Sequence, residues 1–156
     1  MEFKGNLTRL AGACAALAFG STLLVGGASS AQAAPVYYQV HNANNSRLCL
    51  QLNISAGKGN VILGDCNRSA SVVWTISGGI FRNPVSGHCL DGNGADVYTF
   101  PCNGGAYQQW SNSASPTYIK HAWSDKYLTA RGIPGEEVAF ATSTATSSRW
   151  VIEQLP

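Results

Sequence analysis

Cys89-Leu90-Asp91, then Val97-Tyr98-Thr99-Phe100-Pro101-Cys102-Asn103-Gly104-Gly105, then Gln108-Gln109-Trp110: the landmarks of this stretch return on both sides of it. Upstream, Cys49-Leu50 precedes Val61-Ile62-Leu63-Gly64-Asp65-Cys66, and Trp74 follows. Downstream, Tyr127-Leu128 precedes Val138-Ala139-Phe140-Ala141-Thr142, and Trp150 follows. In all three copies the tryptophan stands eight residues after the second landmark, counted from Cys66, Cys102 and Thr142. Before each x-Leu pair comes a turn: Ser46-Arg47-Leu48, Ser86-Gly87-His88 and Ser124-Asp125-Lys126. Before each turn comes a β-branched or aromatic run: Tyr37-Tyr38-Gln39-Val40, Gly79-Ile80-Phe81-Arg82 and Thr117-Tyr118-Ile119-Lys120. Features recurring in register over about 40 residues mark an internal repeat.

Each unit reads as about four short strands separated by Gly, Asn, Ser and Asp turns. No 3.6-residue apolar period is visible beyond the N-terminal segment. One unit of this length cannot bury its own apolar face, but three can close around a common core. Trp74, Trp110 and Trp150, with Leu50, Leu90 and Leu128, supply one large and one medium apolar side chain per unit. They are therefore expected to mark the core and not a ligand site. The expected fold is an all-β barrel with pseudo-threefold symmetry. Trp123 breaks the tryptophan period and is expected to be exposed in the turn before Tyr127.

Four of the five cysteines fall inside the repeats. Spacing alone allows three pairings of Cys49, Cys66, Cys89 and Cys102. The repeats choose among them. Cys49 and Cys66 hold the same two positions in unit one that Cys89 and Cys102 hold in unit two, and unit three replaces both, with Tyr127 and Thr142. Joint presence and joint loss predict bonds within units, Cys49–Cys66 and Cys89–Cys102. Each closes a loop of 14 to 18 residues, worth roughly 3 kcal/mol through the unfolded state.

The first 33 residues read as a secretory signal: Lys4 and Arg9, an apolar run from Leu10 to Val25, and small residues ending in Ala31-Gln32-Ala33. The run is 16 residues long, short of the roughly 20 that a spanning helix needs. Cys14 lies inside the run and not after it, which argues against lipid attachment. Cleavage after Ala33 would leave 8 Lys and Arg against 7 Asp and Glu. That near-neutral balance, without a basic stripe, argues against nucleic acid and anionic membrane as partners. A neutral surface rich in hydroxyls and amides suits an uncharged polar ligand, and paired cysteines suit an extracellular location.

The spacing Cys-Leu-Asp, Val-x-x-aromatic-x-Cys-Asn-Gly-Gly, Gln-x-Trp resembles the ricin-B lectin family, also known for its QxW repeats. The resemblance runs from about Tyr37 to Gln154 and is fullest in unit two. It implies a β-trefoil domain over residues 35–156 and a carbohydrate-binding function. In that family an Asp after Cys-Leu accepts hydrogen bonds from sugar hydroxyls. An aromatic two residues before the second Cys stacks on the sugar ring, and a polar residue just before Gln-x-Trp completes the site. A pyranose has one C–H face and a rim of hydroxyls, so an aromatic platform beside a carboxylate matches both. Carried over residue by residue, Asp91 is the acceptor and Phe100 the platform, with Tyr98, Tyr107 and Gln108 as rim contacts. The implied ligand is a neutral glycan of galactose or xylose type. Two departures put specificity in doubt: Tyr107 stands where Asn is usual, and the Cys89–Cys102 loop is four residues shorter than the Cys49–Cys66 loop.

The other units depart further. Unit one has Gln51 for the Asp, Gly64 for the aromatic and Val72 for the Gln of Gln-x-Trp, and is expected to be structural. Unit three has Thr129 and Ser148 at the polar positions, with Phe140 at the stacking position, and is expected to be silent or divergent. Asp91 also has a competing role as a cap for the turn Gly92-Asn93-Gly94, and Phe100 as a packing residue on the rim.

No catalytic signature is present: no His-Glu-x-x-His, no Gly-x-Ser-x-Gly, no phosphate-binding loop. His41, His88 and His121 are read as occupants of equivalent turns and not as a metal set, and Glu136-Glu137 as a solvated turn. No metal or cofactor is expected, and the chain is expected not to be an enzyme. With two units degraded, the competing function is binding of a secreted protein, as a hydrolase inhibitor or as a lectin-like subunit of a complex. An open cleft at Asp91 and Phe100 favours sugar; a buried Phe100 with apolar loop tips favours protein.

Overall fold

A computed structural model of the chain describes residues 33–53, 60–113 and 117–156. The expected signal segment, up to residue 32, lies outside the described residues, as does Cys14. Among the described residues no helix is long and apolar enough to cross a membrane.

Among the described residues twelve strands follow one another, four to a unit. Unit one holds β1 (Tyr37–Asn42), β2 (Asn45–Asn53), β3 (Asn60–Asp65) and β4 (Trp74–Ser77). Unit two holds β5 (Ile80–Arg82), β6 (His88–Gly92), β7 (Val97–Pro101) and β8 (Trp110–Asn112). Unit three holds β9 (Thr117–His121), β10 (Tyr127–Thr129), β11 (Ala139–Ala141) and β12 (Arg149–Gln154). The last strand of each unit pairs with the first strand of the next: β4 with β5, β8 with β9, and β12 with β1, which closes the ring. The second and third strands of each unit form a hairpin: β2–β3, β6–β7 and β10–β11. This is the pseudo-threefold all-β barrel of a β-trefoil.

The core repeats with the sequence. Val40, Phe81 and Ile119, from the run that opens each unit, are buried together with Leu50, Leu90, Leu128, Trp74, Trp110 and Trp150. Each of these tryptophans donates its indole N–H to the carbonyl of its own unit's leucine: Trp74 to Leu50 at 2.9 Å, Trp110 to Leu90 at 3.0 Å, Trp150 to Leu128 at 3.0 Å. An indole can be buried at little cost only when that donor is satisfied, and here one geometry solves the problem three times. The two disulfides are Cys49–Cys66 and Cys89–Cys102, tying the paired strands of the first two hairpins.

Asn42 and His121 end β1 and β9, Asn83 directly follows β5, and all three are fully buried. Asn42 Oδ1 accepts from the amides of Asn44 and Asn45, and Asn83 Oδ1 from those of Val85 and Ser86. At the third corner, Ser124 Oγ–H donates to His121 Nδ1 at 2.8 Å, and His121 Nε2–H donates to the Tyr107 carbonyl at 3.0 Å. The three histidines therefore do not share one position, contrary to the sequence reading: His41 lies inside β1, His88 opens β6, and only His121 is a corner. The corner of unit one is also tight enough that β2 begins at Asn45, so Ser46-Arg47-Leu48 is strand and not turn.

Candidate functional site

The β6–β7 hairpin sets the site. Its register pairs Asp91 with Tyr98 and Cys89 with Phe100, so Asp91 and Tyr98 share one face. The turn at its tip is capped by Asn93, whose Oδ1 accepts from the amides of Ala95 at 2.9 Å and Asp96 at 2.7 Å. Asp91 is thus not the cap of that turn.

Asp91 is held from below by Gln108. Gln108 Nε2 donates to Asp91 Oδ2 at 2.8 Å and to the Pro101 carbonyl at 3.1 Å. Gln108 Oε1 accepts from the amides of Asn103 at 2.8 Å and Gly104 at 3.2 Å. Gln108 is fully buried. The structure therefore moves it from the expected rim to a position beneath the carboxylate, because the short helical turn 106–108 that precedes β8 points it inward. Asp91 itself is only 2% exposed, and its Oδ1 is buried without a hydrogen bond. Tyr98 is the cross-strand partner of Asp91, and burial, then the negative charge of that carboxylate, push its pKa up to about 12. Phe100 is 51% exposed. Tyr98 and Phe100 line a cleft of about 630 Å³ whose other wall includes Glu137 and Val138 of unit three.

Tyr107 is 42% exposed, one residue before Gln108, and meets Trp123 in an edge-to-face contact with ring centroids 4.7 Å apart. Trp123 is the residue that sequence reasoning did not connect to the site. Its break with the tryptophan period was the available signal, but it stands 32 residues from Asp91 in the chain. The corner at His121 brings it there, since the carbonyl of Tyr107 is the acceptor for His121 Nε2–H.

Units one and three lack this arrangement. In unit one, a Cβ on Gly64 would lie 1.5 Å from Gln51 Oε1. Gln51 folds into the space that a side chain at 64 would need, and donates to Ser71 Oγ at 3.0 Å. In unit three the register pairs Tyr127 with Ala141 and Leu128 with Phe140. Ala141, and not Phe140, thus corresponds to Phe100, and the expected stacking position is corrected by one residue. A shift of one residue turns a side chain to the other face of a strand. Phe140 accordingly packs inward on the core, its ring stacked 5.9 Å from that of Trp110. Ser148, at the place of Gln108, is buried and its hydroxyl is unpaired.

His41 lies within reach of Cys49 and Cys66 in a cluster of metal-ligand type. The sulfurs are bonded to each other, so neither offers the thiolate that would bind a metal. Glu136 is not a free turn carboxylate: it accepts from Arg131 Nε at 2.8 Å and from the Arg131 amide at 2.8 Å.

Among the described residues, twelve strands in three like units define a β-trefoil domain. The chain belongs to the ricin-type β-trefoil lectin domain family, whose model matches residues 36–150. Solved structures agree on the fold. The designed threefold-symmetric protein ThreeFoil aligns with a TM-score of 0.68 and 19% identity, over 76% of this chain and 99% of its own. The C-half of the earthworm R-type lectin, solved in complex with GalNAc, aligns at 0.65 and 14% identity over 78% and 100%. The hemolytic lectin CEL-III aligns at 0.64 and 25% identity over 74% of this chain, which spans only 30% of that larger protein. A search of curated protein sequences finds no match.

Proposed function

We propose that the protein is a secreted, non-enzymatic carbohydrate-binding module with one working site, in unit two. The carrying observation is the Asp91–Gln108 hydrogen bond beside an exposed Phe100 on the same hairpin. Neither of the other units combines these groups. Asp91 accepts from sugar hydroxyls, Phe100 stacks on the C–H face, and Tyr98 and Tyr107 contact the edges. Tyr98 lines the cleft and is the cross-strand partner of Asp91, and a hydroxyl entering beside it meets Asp91 Oδ1, which has no hydrogen bond within the protein. The ligand is a neutral glycan, of galactose or xylose type by family resemblance. The first 33 residues act as the export signal, and the disulfides fit an oxidising, extracellular setting.

One shallow site contacting about a dozen heavy atoms, with desolvation of its hydroxyls to offset, binds a monosaccharide at millimolar to high-micromolar Kd, roughly −4 to −5.5 kcal/mol. The test is a glycan array on the mature protein, followed by calorimetric titration of wild type and Asp91→Asn. Asn keeps an acceptor for Gln108 but removes the charge. Binding should weaken by roughly 1–3 kcal/mol, about five- to 150-fold, with little change in thermal midpoint. If the wild type binds no glycan, or Asp91→Asn binds as well as wild type, the site is not a sugar site and a secreted protein partner becomes the better reading.

A further inference from the structure

We propose that Trp123 and Tyr107 form a second carbohydrate subsite beside Asp91, so that the site takes a neutral chain of at least two sugar residues and not a lone monosaccharide. This rests on the reading of Asp91 as a sugar acceptor. Trp123 is the exception among the tryptophans. The other three are buried with their indole N–H bound to a leucine carbonyl, whereas Trp123 is 54% exposed. Among the described residues no acceptor meets its indole N–H, which is left available to a hydroxyl. Its turn does not need an aromatic: the residues two places after the corners of units one and two are Asn44 and Val85.

The position is also fixed. His121 binds both Ser124 and the Tyr107 carbonyl, and the Asp125 amide donates to the His121 carbonyl at 3.0 Å. Trp123 packs against the tip of the Asp91 hairpin, so closely that a Cβ on Gly94 would lie 3.0 Å from its ring. Lys126 Nζ donates to the Gly94 carbonyl at 2.6 Å, binding turn and hairpin together. Tyr107 is the chain neighbour of Gln108, which holds Asp91. The aromatic pair lies outside the lining of the Tyr98–Phe100 cleft, but is anchored to the tip of the hairpin that carries Asp91 and to the helical turn that carries Gln108. A preorganised, exposed aromatic surface beside a carboxylate is what a second pyranose ring requires, because its C–H face gains contact without ordering the protein.

The test compares galactose with lactose and xylose with xylobiose, titrated against wild type, Asp91→Asn, Trp123→Ala and Trp123→Phe. A disaccharide should bind wild type about three- to tenfold more tightly than its monosaccharide, as one added aromatic contact implies. Trp123→Ala should reduce that ratio to about one while leaving the monosaccharide Kd unchanged, and Trp123→Phe should keep part of it. In wild type, saturating disaccharide should protect tryptophan fluorescence from acrylamide, and monosaccharide should protect it less; this reading needs no variant to fold. An unchanged ratio in Trp123→Ala, or no gain from the second residue in wild type, overturns the second subsite and leaves the Asp91 site standing. Absence of binding by every probe, or monosaccharide binding that survives Asp91→Asn, overturns the Asp91 reading and the second subsite with it.

Discussion

Gln108 shows how a single side chain can serve fold and site at once. Its amide satisfies two backbone N–H groups, one carbonyl and one oxygen of Asp91. Gln108→Ala would leave buried polar groups unpaired, so a destabilisation of about 1–3 kcal/mol is expected, together with loss of sugar binding. A denaturant melt and a titration on the same sample would check both. At the neighbouring corner, burial lowers the pKa of His121 below its usual 6.5, outweighing the Tyr107 carbonyl and the Asp91 charge, which act to raise it. The unfolded chain then binds the proton more readily than the folded one. Stability is complete above pH about 6.5 and falls as pH drops toward the folded-state value. His121→Asn, which installs the residue used at the other two corners, should remove this slope; a Tm series from pH 7.5 to 5 would show it. Glu136, whose pKa is lowered because hydrogen bonds from Arg131 outweigh burial, loses its contribution only at more acidic pH, below its usual 4.5.

At the scale of elements, the three hairpins share a backbone plan but not a register of useful side chains. The same strand position carries Gly64, Phe100 and Ala141, and only one of these can stack on a ring. Unit one is further occupied by its own Gln51, so it is expected to stay silent even where a ligand is abundant. The Cys89–Cys102 bond clamps the hairpin that carries Asp91 and Phe100. Replacing both cysteines by serine should cost roughly 3 kcal/mol and weaken sugar binding, and melts with titrations on the double variant would measure each. Non-reducing peptide mapping that linked Cys49 to Cys89 or Cys102 would contradict the pairing.

For the whole molecule, the proposed single working hairpin would make a monovalent binder. Without a second site there is no avidity, so the protein as a monomer should not cross-link glycan-coated beads, and calorimetry should give a stoichiometry near one. The core is the reverse case, shared equally among units. Trp110→Ala should cost roughly 3–5 kcal/mol, a large part of the 5–15 kcal/mol available to such a domain, and reduced expression with a lower Tm is expected. A variant with an unchanged midpoint would show that the tryptophan is not the core residue its burial indicates.

What the sequence determined by itself was everything that repeats. Three phased tryptophans, three x-Leu pairs and the joint loss of two cysteines in unit three carried the barrel, the core and both disulfides, because a periodic signal is read locally and then multiplied. What only the tertiary structure decided was the company that Asp91 keeps. Gln108 is beneath it and not on the rim because a short helical turn points the side chain inward. Phe140 faces the core and not the solvent because β10 and β11 pair one residue away from where the spacing to Trp150 would put them. Trp123 stands beside the hairpin of another unit because β9 pairs with β8 and the His121 corner reaches back to Tyr107. Each of these depends on strand register or on contact between distant segments, and neither is written in the spacing of residues along one chain.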